Sequence, residues 1–221
     1  YAELLENRLT GTPELQFIAS IQRNVERMTG LIDDMTSIAR LEGQEASFSP
    51  TWFSAAPFLE RMEALAFGFL ALKNQKLCME NSVQDLFADE TLLEHMLLNL
   101  LSNASRYSPA GSSIDVQIKR EHNRFCLEVI DPGEGVPDAL KGRVFERFFR
   151  VDPDRSRKAG GTGLVLSIVR RIVLLHGGEI KLSDAKTQGT QVRVRWPIPL
   201  PVAPLHEVVD NHIIHPAPIP K

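Results

Sequence analysis

The chain has few cysteines, almost no net charge and no long apolar run, and each absence excludes a class of protein. Two cysteines are too few for the disulfide framework of a small secreted domain, so we expect both to be reduced. A net charge of −3 gives no basic surface for nucleic acid. No apolar run reaches the ~18 residues that a membrane-spanning helix needs, so we expect this chain to be soluble.

Residues 1–45 have the apolar periodicity of a helical hairpin whose first arm is mostly absent. We predict a short helical segment over residues 1–8, after which Thr12 and Pro13 supply an N-cap and a proline at the first position of the next helix. Because residue 1 is not Met, we expect a piece of a longer protein. The second helix carries a heptad seam, which predicts packing against a partner helix; its members are Ile18, Ile21, Val25, Met28, Ile32, Met35 and Ala39.

After a polar linker, strand-like and helical stretches alternate without a regular βαβ order. We predict helices over 56–72, 90–107 and 163–176, and strands over 51–53, 76–80, 86–88, 114–118, 125–129, 179–182 and 191–196. This mixed order favours an α+β sandwich over a doubly wound sheet. Prolines are concentrated after residue 196, which predicts an extended or disordered tail.

The first chemical motif is a pair of asparagines on an otherwise apolar helix. Asn99, Asn103 and Arg106 share one helical face, and Tyr107 follows them. Two carboxamides one turn apart offer neutral oxygen ligands for Mg²⁺, and the arginine can then contact a phosphate. Asparagines that merely face solvent would give the same pattern.

The second motif, Asp131-Pro-Gly133-Glu-Gly135, directly follows a predicted strand. An aspartate at a strand end can accept a hydrogen bond from an exocyclic amine such as that of adenine. The glycines allow the backbone to approach a flat ring closely. A simple turn also accounts for these residues.

The third motif is the aromatic and basic stretch Phe145–Arg150, which leads into a loop without apolar anchors. Arg150, Arg155, Arg157 and Lys158 supply positive charge there. A mobile basic loop can close over a triphosphate. A solvated basic loop fits the composition equally well.

The last motif, residues 160–164 with the sequence GGTGL, opens an apolar helix. Free amides and the helix dipole at such a start favour an anionic phosphate. The residues match neither a P-loop nor a Rossmann fingerprint, and a glycine-rich helix cap without a ligand is the alternative.

Taken together, the order and spacing of the four motifs resemble bacterial sensor histidine kinases of two-component systems, in the Bergerat or GHKL ATPase superfamily. They are similar to the N box, first glycine box, F box and second glycine box of that family. The likeness continues through Leu175–Ile180 and Gly189-Thr190, and it covers roughly Phe48 to Pro197. The heptad helix resembles the second helix of the family's dimerisation domain.

This resemblance implies an α+β fold, namely a Bergerat-type (GHKL) α/β sandwich with a mixed sheet against three helices, preceded by a helical hairpin remnant. Residues 1–45 would be the C-terminal remnant of the dimerisation and histidine phosphotransfer hairpin. Residues 46–200 would form the catalytic ATP-binding domain, and 201–221 a proline-rich disordered tail. The implied reaction is transfer of the ATP γ-phosphate to a histidine, in which positioning and charge neutralisation supply most of the catalysis.

ATP and Mg²⁺ are the ligands that the resemblance implies. Asn103, assisted by Asn99, would coordinate Mg²⁺, and Arg150 would reach the γ-phosphate. Backbone amides of the second glycine box would bind the phosphates; they belong to Gly161, Gly163 and Leu164.

The resemblance also implies which residues would contact the nucleoside part of ATP. Asp131 would bind the adenine amine, with Gly133 and Gly135 shaping that wall. Arg106 would contact phosphate or ribose, and Tyr107 would pack near the nucleotide.

The chain departs from the family in two respects. The family's phospho-accepting histidine lies upstream of a Tyr-Ala-Glu-Leu-Leu pattern that is residues 1–5 here, so it would precede this chain. The histidines present do not substitute for it, and we interpret His122 and His176 as structural or surface residues. This fragment should not autophosphorylate.

The second departure is Val165, which replaces the last glycine of the second glycine box. Its β-branched side chain predicts weaker ATP binding than a Val165→Gly variant would show.

Two alternatives remain open. A nucleotide-binding pseudokinase with impaired catalysis is favoured by Val165 alone. A GHKL ATPase is the other alternative. Such an ATPase would carry a catalytic glutamate in the asparagine helix, but Glu94 lies a full turn too early. The related serine kinases of the anti-sigma type normally lack the heptad helix.

The resemblance further implies partners and a location. We expect the histidine of the chain's own dimerisation domain, a cognate response regulator and a homodimeric parent protein, and no nucleic acid. The chain would be the cytoplasmic portion of a bacterial inner-membrane protein.

Overall fold

A computed structural model describes residues 14–43, 48–152 and 162–199. Its helices are α1 (Glu14–Gly43), α2 (Ala55–Ala71), α3 (Glu90–Tyr107) and α4 (Val165–Leu175). Its strands are β1 (Thr51–Ser54), β2 (Lys76–Asn81), β3 (Asp85–Ala88), β4 (Ser113–Glu121), β5 (Arg124–Asp131), β6 (Glu179–Asp184) and β7 (Thr190–Pro197). Within these ranges, no helix is both long enough and apolar enough to cross a membrane.

A mixed five-stranded sheet in the order β2-β4-β5-β7-β6 forms one layer of the sandwich. Strands β2 and β4 run parallel, whereas the other neighbouring pairs are antiparallel. Strands β1 and β3 form a separate antiparallel ribbon. The predicted α+β class with a mixed sheet is therefore confirmed.

Alternation along the strands separates an apolar face from a charged face. Phe125, Leu127 and Val129 of β5 point into the core that α2, α3 and α4 cover. On the opposite face, Glu128 is only 2% exposed because Lys119 and Arg193 pair with it. Cys126 also lies on this charged face, where it is fully buried but is not part of the hydrophobic cluster on the other face.

The face of helix α1 that contacts the sandwich is not the face that carries the heptad seam. Leu31 and Ile38 pack against the hydrophobic core, and Leu41 is only 2% exposed. Seam residues such as Met28 (63% exposed) and Ile32 (61% exposed) remain open to solvent. The helix therefore has one face seated on the sandwich and one apolar face without cover from the described part of this chain.

The elements predicted within the described residues are found, with most boundaries shifted by one to three residues. Helix α3 has the predicted ends, whereas α4 begins at Val165 and not at Gly163. Gly163 has φ +75°, a left-handed conformation that cannot continue into a right-handed helix. The predictions for residues 1–13 and for the tail after residue 199 lie outside the described residues.

Candidate functional site

The N-terminus of the asparagine helix α3 is fixed by a cap and a histidine. The Asp89 carboxylate accepts a hydrogen bond from the Leu92 amide at 3.1 Å. The Asp89 amide donates to Nε2 of His176 at 3.1 Å, and Nδ1 of that ring lies 2.8 Å from the Ile172 carbonyl. Burial lowers the pKa of His176, in keeping with a neutral ring. His176 is thus a structural link between α3 and α4, as predicted.

The C-terminus of α3 is held by a lysine and a glutamine that precede β2. Lys73 Nζ donates to the carbonyls of Ser105 at 2.6 Å, Arg106 at 3.1 Å and Ser108 at 2.9 Å. The Ser105 hydroxyl donates to the side-chain carbonyl of Gln75 at 2.6 Å. A cation at the negative end of the helix dipole stabilises this end and fixes the position of Arg106.

The polar face of α3 carries His95, Asn99, Asn103 and Arg106, all half-buried. The side-chain nitrogen Nδ2 of Asn99 is buried and has no hydrogen-bond partner among the described residues. A buried amide without a partner is costly, so this position calls for a ligand that can accept a hydrogen bond. A phosphate oxygen fits that requirement.

Asp131 ends β5 as a buried carboxylate, 7% exposed. It accepts a hydrogen bond from the Gly133 amide at 2.9 Å and another from the backbone of Thr190. Burial raises its pKa to about 6, and the two neutral backbone donors offset only part of that effect. The carboxylate is therefore an acceptor in a poorly solvated site.

Gly133 joins the aspartate to the end of α3. A Cβ at this position would lie 2.6 Å from Oδ1 of Asp131 and 3.0 Å from the carbonyl oxygen of Tyr107. The second and first motifs are therefore in contact through the glycine. Gly135 follows with φ +80°, in the left-handed region that favours glycine.

Gly189 and Thr190 close the opposite side of Asp131 and were not among the predicted site residues. Thr190 is the register partner of Asp131 in the β5–β7 pair. A Cβ at Gly189, where φ is +105°, would overlap the Asp131 carbonyl oxygen at 1.8 Å. The signal in the sequence was the Gly189-Thr190 pair, which contributed to the resemblance without a role of its own.

The glycine box and the aromatic motif are bonded to each other through their backbones. The Phe148 amide donates to the Gly163 carbonyl at 2.8 Å, and a Cβ at Gly163 would lie 2.9 Å from the carbonyl carbon of Phe148. Phe148 has φ +62°, an uncommon conformation for a bulky residue. Arg150 follows and is half-buried. Of the residues predicted to bind phosphate, Gly161 and the basic loop residues Arg155, Arg157 and Lys158 lie outside the described residues.

Asp34 of α1 connects the glycine box to α3, a contact that sequence reasoning missed. The Thr162 hydroxyl donates to Oδ2 of Asp34 at 2.5 Å, and the same hydroxyl accepts from the Leu164 amide at 3.2 Å. Arg106 and His95 are close enough to lower the pKa of Asp34, although burial has the larger effect and leaves that pKa raised. The Asp34 carboxylate therefore accepts a hydrogen bond from Thr162 and lies within electrostatic range of Arg106.

Comparisons with known proteins agree with this geometry. Residues 88–200 match the family described as histidine kinase-, DNA gyrase B-, and HSP90-like ATPase. The chain is 30% identical over 188 residues to the sensor histidine kinase WalK of Bacillus subtilis, covering 82% of this chain and 30% of WalK.

Solved structures give the same relationship. The mycobacterial sensor histidine kinase MprB aligns with a TM-score of 0.59 and 26% identity, covering 69% of this chain and 100% of that chain. Full-length ShkA in complex with AMPPNP aligns with a TM-score of 0.70 and 26% identity, covering 92% of this chain and 43% of ShkA.

The chain spans 30% and 33% of the lengths of two curated WalK relatives, so it corresponds to one part of such proteins. That part contains the asparagine helix, Asp131 and the glycine box. The chain belongs to the histidine kinase-, DNA gyrase B- and HSP90-like ATPase family, and its sandwich is similar to the catalytic domains of sensor histidine kinases.

Proposed function

We propose that this domain binds Mg²⁺·ATP between α3, the Asp131–Gly135 segment and the Thr162–Leu164 segment, and transfers the γ-phosphate to a histidine on a dimerisation helix of the parent protein. One observation carries the proposal: motifs far apart in the sequence meet. Gly133 contacts the end of α3, and Asp34 accepts a hydrogen bond from Thr162 within electrostatic range of Arg106.

Asp131 gives the proposed site its preference for adenine. An ionised carboxylate accepts a hydrogen bond from the exocyclic amine of adenine but would repel the carbonyl oxygen that guanine carries at the same position. Because Asp131 is buried and accepts hydrogen bonds from the neutral backbone amides of Gly133 and Thr190, its acceptor character is not offset by a cation. Gly133, Gly135 and Tyr107 would form the wall beside the base.

ATP would supply the phosphoryl group and Mg²⁺ the charge neutralisation that this transfer needs. Asn103 and Asn99 would hold the metal, with the unpartnered amide nitrogen of Asn99 directed to a phosphate oxygen. Arg106 and Arg150 would bind phosphate oxygens, and amides of the glycine box, including Gly163 and Leu164, would do the same at the start of α4.

The competing ATPase interpretation is disfavoured by Glu94. Its carboxylate accepts a hydrogen bond from Nε of Arg61 at 3.1 Å, where Arg61 is exposed on α2. A glutamate engaged in a surface ion pair is not placed to activate a water molecule at the polar face of α3. The pseudokinase alternative still rests on Val165 alone.

We further propose that the parent protein is a homodimeric membrane sensor that acts with a response regulator in the cytoplasm. The exposed heptad seam of α1 supports dimerisation, because Ile21 (59% exposed), Val25 (57%) and Met35 (57%) leave an apolar stripe uncovered. Residues 1–45 would then be the remnant of the dimerisation hairpin, and the histidine that accepts phosphate would belong to its other arm.

Calorimetric titration with AMPPNP, with and without Mg²⁺, tests the binding proposal. We expect Mg²⁺-dependent binding that Asn103→Ala abolishes and Asn123→Ala, in the exposed β4–β5 turn, leaves intact. Binding that is insensitive to Asn103→Ala would contradict the site. Phosphate transfer to an added dimerisation domain carrying its histidine then separates a kinase from a pseudokinase.

A further inference from the structure

Asp34 stands on the face of α1 that is seated on the sandwich. Leu31, Ile38 and Leu41 follow the same three-four spacing and pack against the core, which places Asp34 in the middle of the contact. Its Oδ2 accepts a hydrogen bond from the Thr162 hydroxyl at 2.5 Å, although the two residues are 128 positions apart in the sequence. The helix is thus bonded to the glycine box by one carboxylate.

The groups around this carboxylate are those that the proposed site offers to phosphate. Thr162 lies within the glycine box, and its hydroxyl also engages the Leu164 amide. Arg106, which is expected to contact phosphate or ribose, stabilises the ionised form of Asp34, and His95 does the same. Asp33 destabilises that form. A hydroxyl donor and an arginine around one anion are a typical phosphate environment.

A second anion cannot share these donors without cost. Two negative charges a few ångströms apart in a partly buried site repel each other, and the hydroxyl of Thr162 has a single proton to donate. Binding of a triphosphate at the glycine box and the Asp34–Thr162 hydrogen bond therefore oppose each other.

We propose that Asp34 is a latch between α1 and the glycine box: without nucleotide its carboxylate takes the place of a phosphate, and binding of the nucleoside triphosphate displaces it and loosens α1. The inference rests on the proposed function and deepens it, because it concerns regulation of the same site. By linkage, a signal that moves α1 away from Thr162 would increase the affinity for nucleotide by the same factor.

The substitution Asp34→Asn tests the latch, since it removes the charge and retains the shape. In titrations of the full chain with Mg²⁺·AMPPNP, we expect it to bind about tenfold more tightly than wild type, within the usual range of coupling between linked sites. Glu63→Gln is the matched control, because Glu63 is an exposed carboxylate on α2 outside the proposed site, and the affinity of this variant should equal that of wild type.

Amide hydrogen exchange gives a second readout that does not depend on the substitution. In wild type, Mg²⁺·AMPPNP should increase amide exchange in the C-terminal half of α1. Nucleotide binding by all three proteins with equal affinity would overturn the latch and leave the proposed function standing. Absence of nucleotide binding in all three would overturn both.

Discussion

The main-chain carbonyl of Tyr107 lies against Gly133, 3.0 Å from the point where a Cβ of that residue would stand. This contact holds the end of the asparagine helix next to the strand end that carries Asp131. The adenine end and the phosphate end of the proposed site thus depend on a position where there is no room for a side chain. Any atom added there must move the helix end or the aspartate.

Gly133→Ala should therefore weaken nucleotide binding and stability together. The new methyl group would meet Oδ1 of Asp131 at 2.6 Å and the Tyr107 carbonyl at 3.0 Å. Overpacking of this kind costs about 1–3 kcal/mol. Urea denaturation measures the loss, and AMPPNP titration measures the binding.

Gly142→Ala is the matched control, since a Cβ at Gly142 meets nothing within 4 Å. We expect it to unfold like wild type. Equal unfolding midpoints for the Gly133 and Gly142 variants would show that the close approach at Gly133 is absent in solution.

Asp131 should make stability and nucleotide binding respond to pH in opposite directions. Its pKa is about 6 in the folded chain against an ordinary value of 3.8, so between these values the folded state binds more protons than the unfolded state. The free energy of unfolding must then fall as pH rises through this window. Affinity for adenine nucleotides should instead rise, because the ionised carboxylate is the stronger acceptor.

The substitution Asp131→Asn separates the two effects. The amide oxygen can still accept from Gly133 and Thr190, while the charge is gone. Since one pKa unit corresponds to about 1.4 kcal/mol, we expect the variant to be more stable than wild type by up to about 3 kcal/mol at pH 7.5, and to lose nucleotide binding. Thermal unfolding between pH 4 and 8 tests this; a stability difference that does not change with pH would contradict the buried carboxylate.

Sequence reasoning succeeded where a pattern was local. Helix α3 was predicted with its observed ends because apolar periodicity runs between the Asp89 cap and the end at Tyr107. The start of α4 was misplaced by two residues, since the left-handed conformation of Gly163 depends on its contact with Phe148.

Contacts between distant elements were not predictable from these patterns. The heptad seam correctly indicated one apolar face of α1. It gave no sign that the other face carries Asp34 to the glycine box, because Asp34 and Thr162 are 128 positions apart in the sequence. The surroundings of Cys126 are a second example. Its strand is apolar on both sides of it, yet the thiol faces the charged side of the sheet, where Glu121, Glu128 and Arg195 surround it.

Lys73 should prove a positioning residue for the C-terminal end of α3. It donates to the carbonyls of Ser105, Arg106 and Ser108, and hydrogen bonds to charged groups contribute about 1.5–3 kcal/mol each to stability. Because one ammonium group serves all three, we expect Lys73→Met to cost about 2–3 kcal/mol in urea denaturation. AMPPNP affinity should fall as well, since Arg106 lies on the released turn.

Lys76→Met provides the comparison, because Lys76 is exposed on β2 and leaves α3 untouched. A Lys73→Met variant as stable as Lys76→Met would mean that the helix end is held by Gln75 and Ser105 alone.

Val165→Gly should bind ATP more tightly than wild type. Val165 is the first residue of α4 and directly follows Leu164, whose amide is turned to the Thr162 hydroxyl at 3.2 Å. Its β-branched side chain is half-buried beside the amides proposed to bind phosphate, and it restricts the backbone there. Glycine removes both constraints, although it weakens the helix by about 1 kcal/mol relative to alanine.

Calorimetric titration with Mg²⁺·AMPPNP of wild type, Val165→Ala and Val165→Gly distinguishes crowding by the side chain from restriction of the backbone. Improvement in both variants would indicate crowding, improvement in the glycine variant alone would indicate backbone restriction, and equal affinities in all three proteins would refute the prediction.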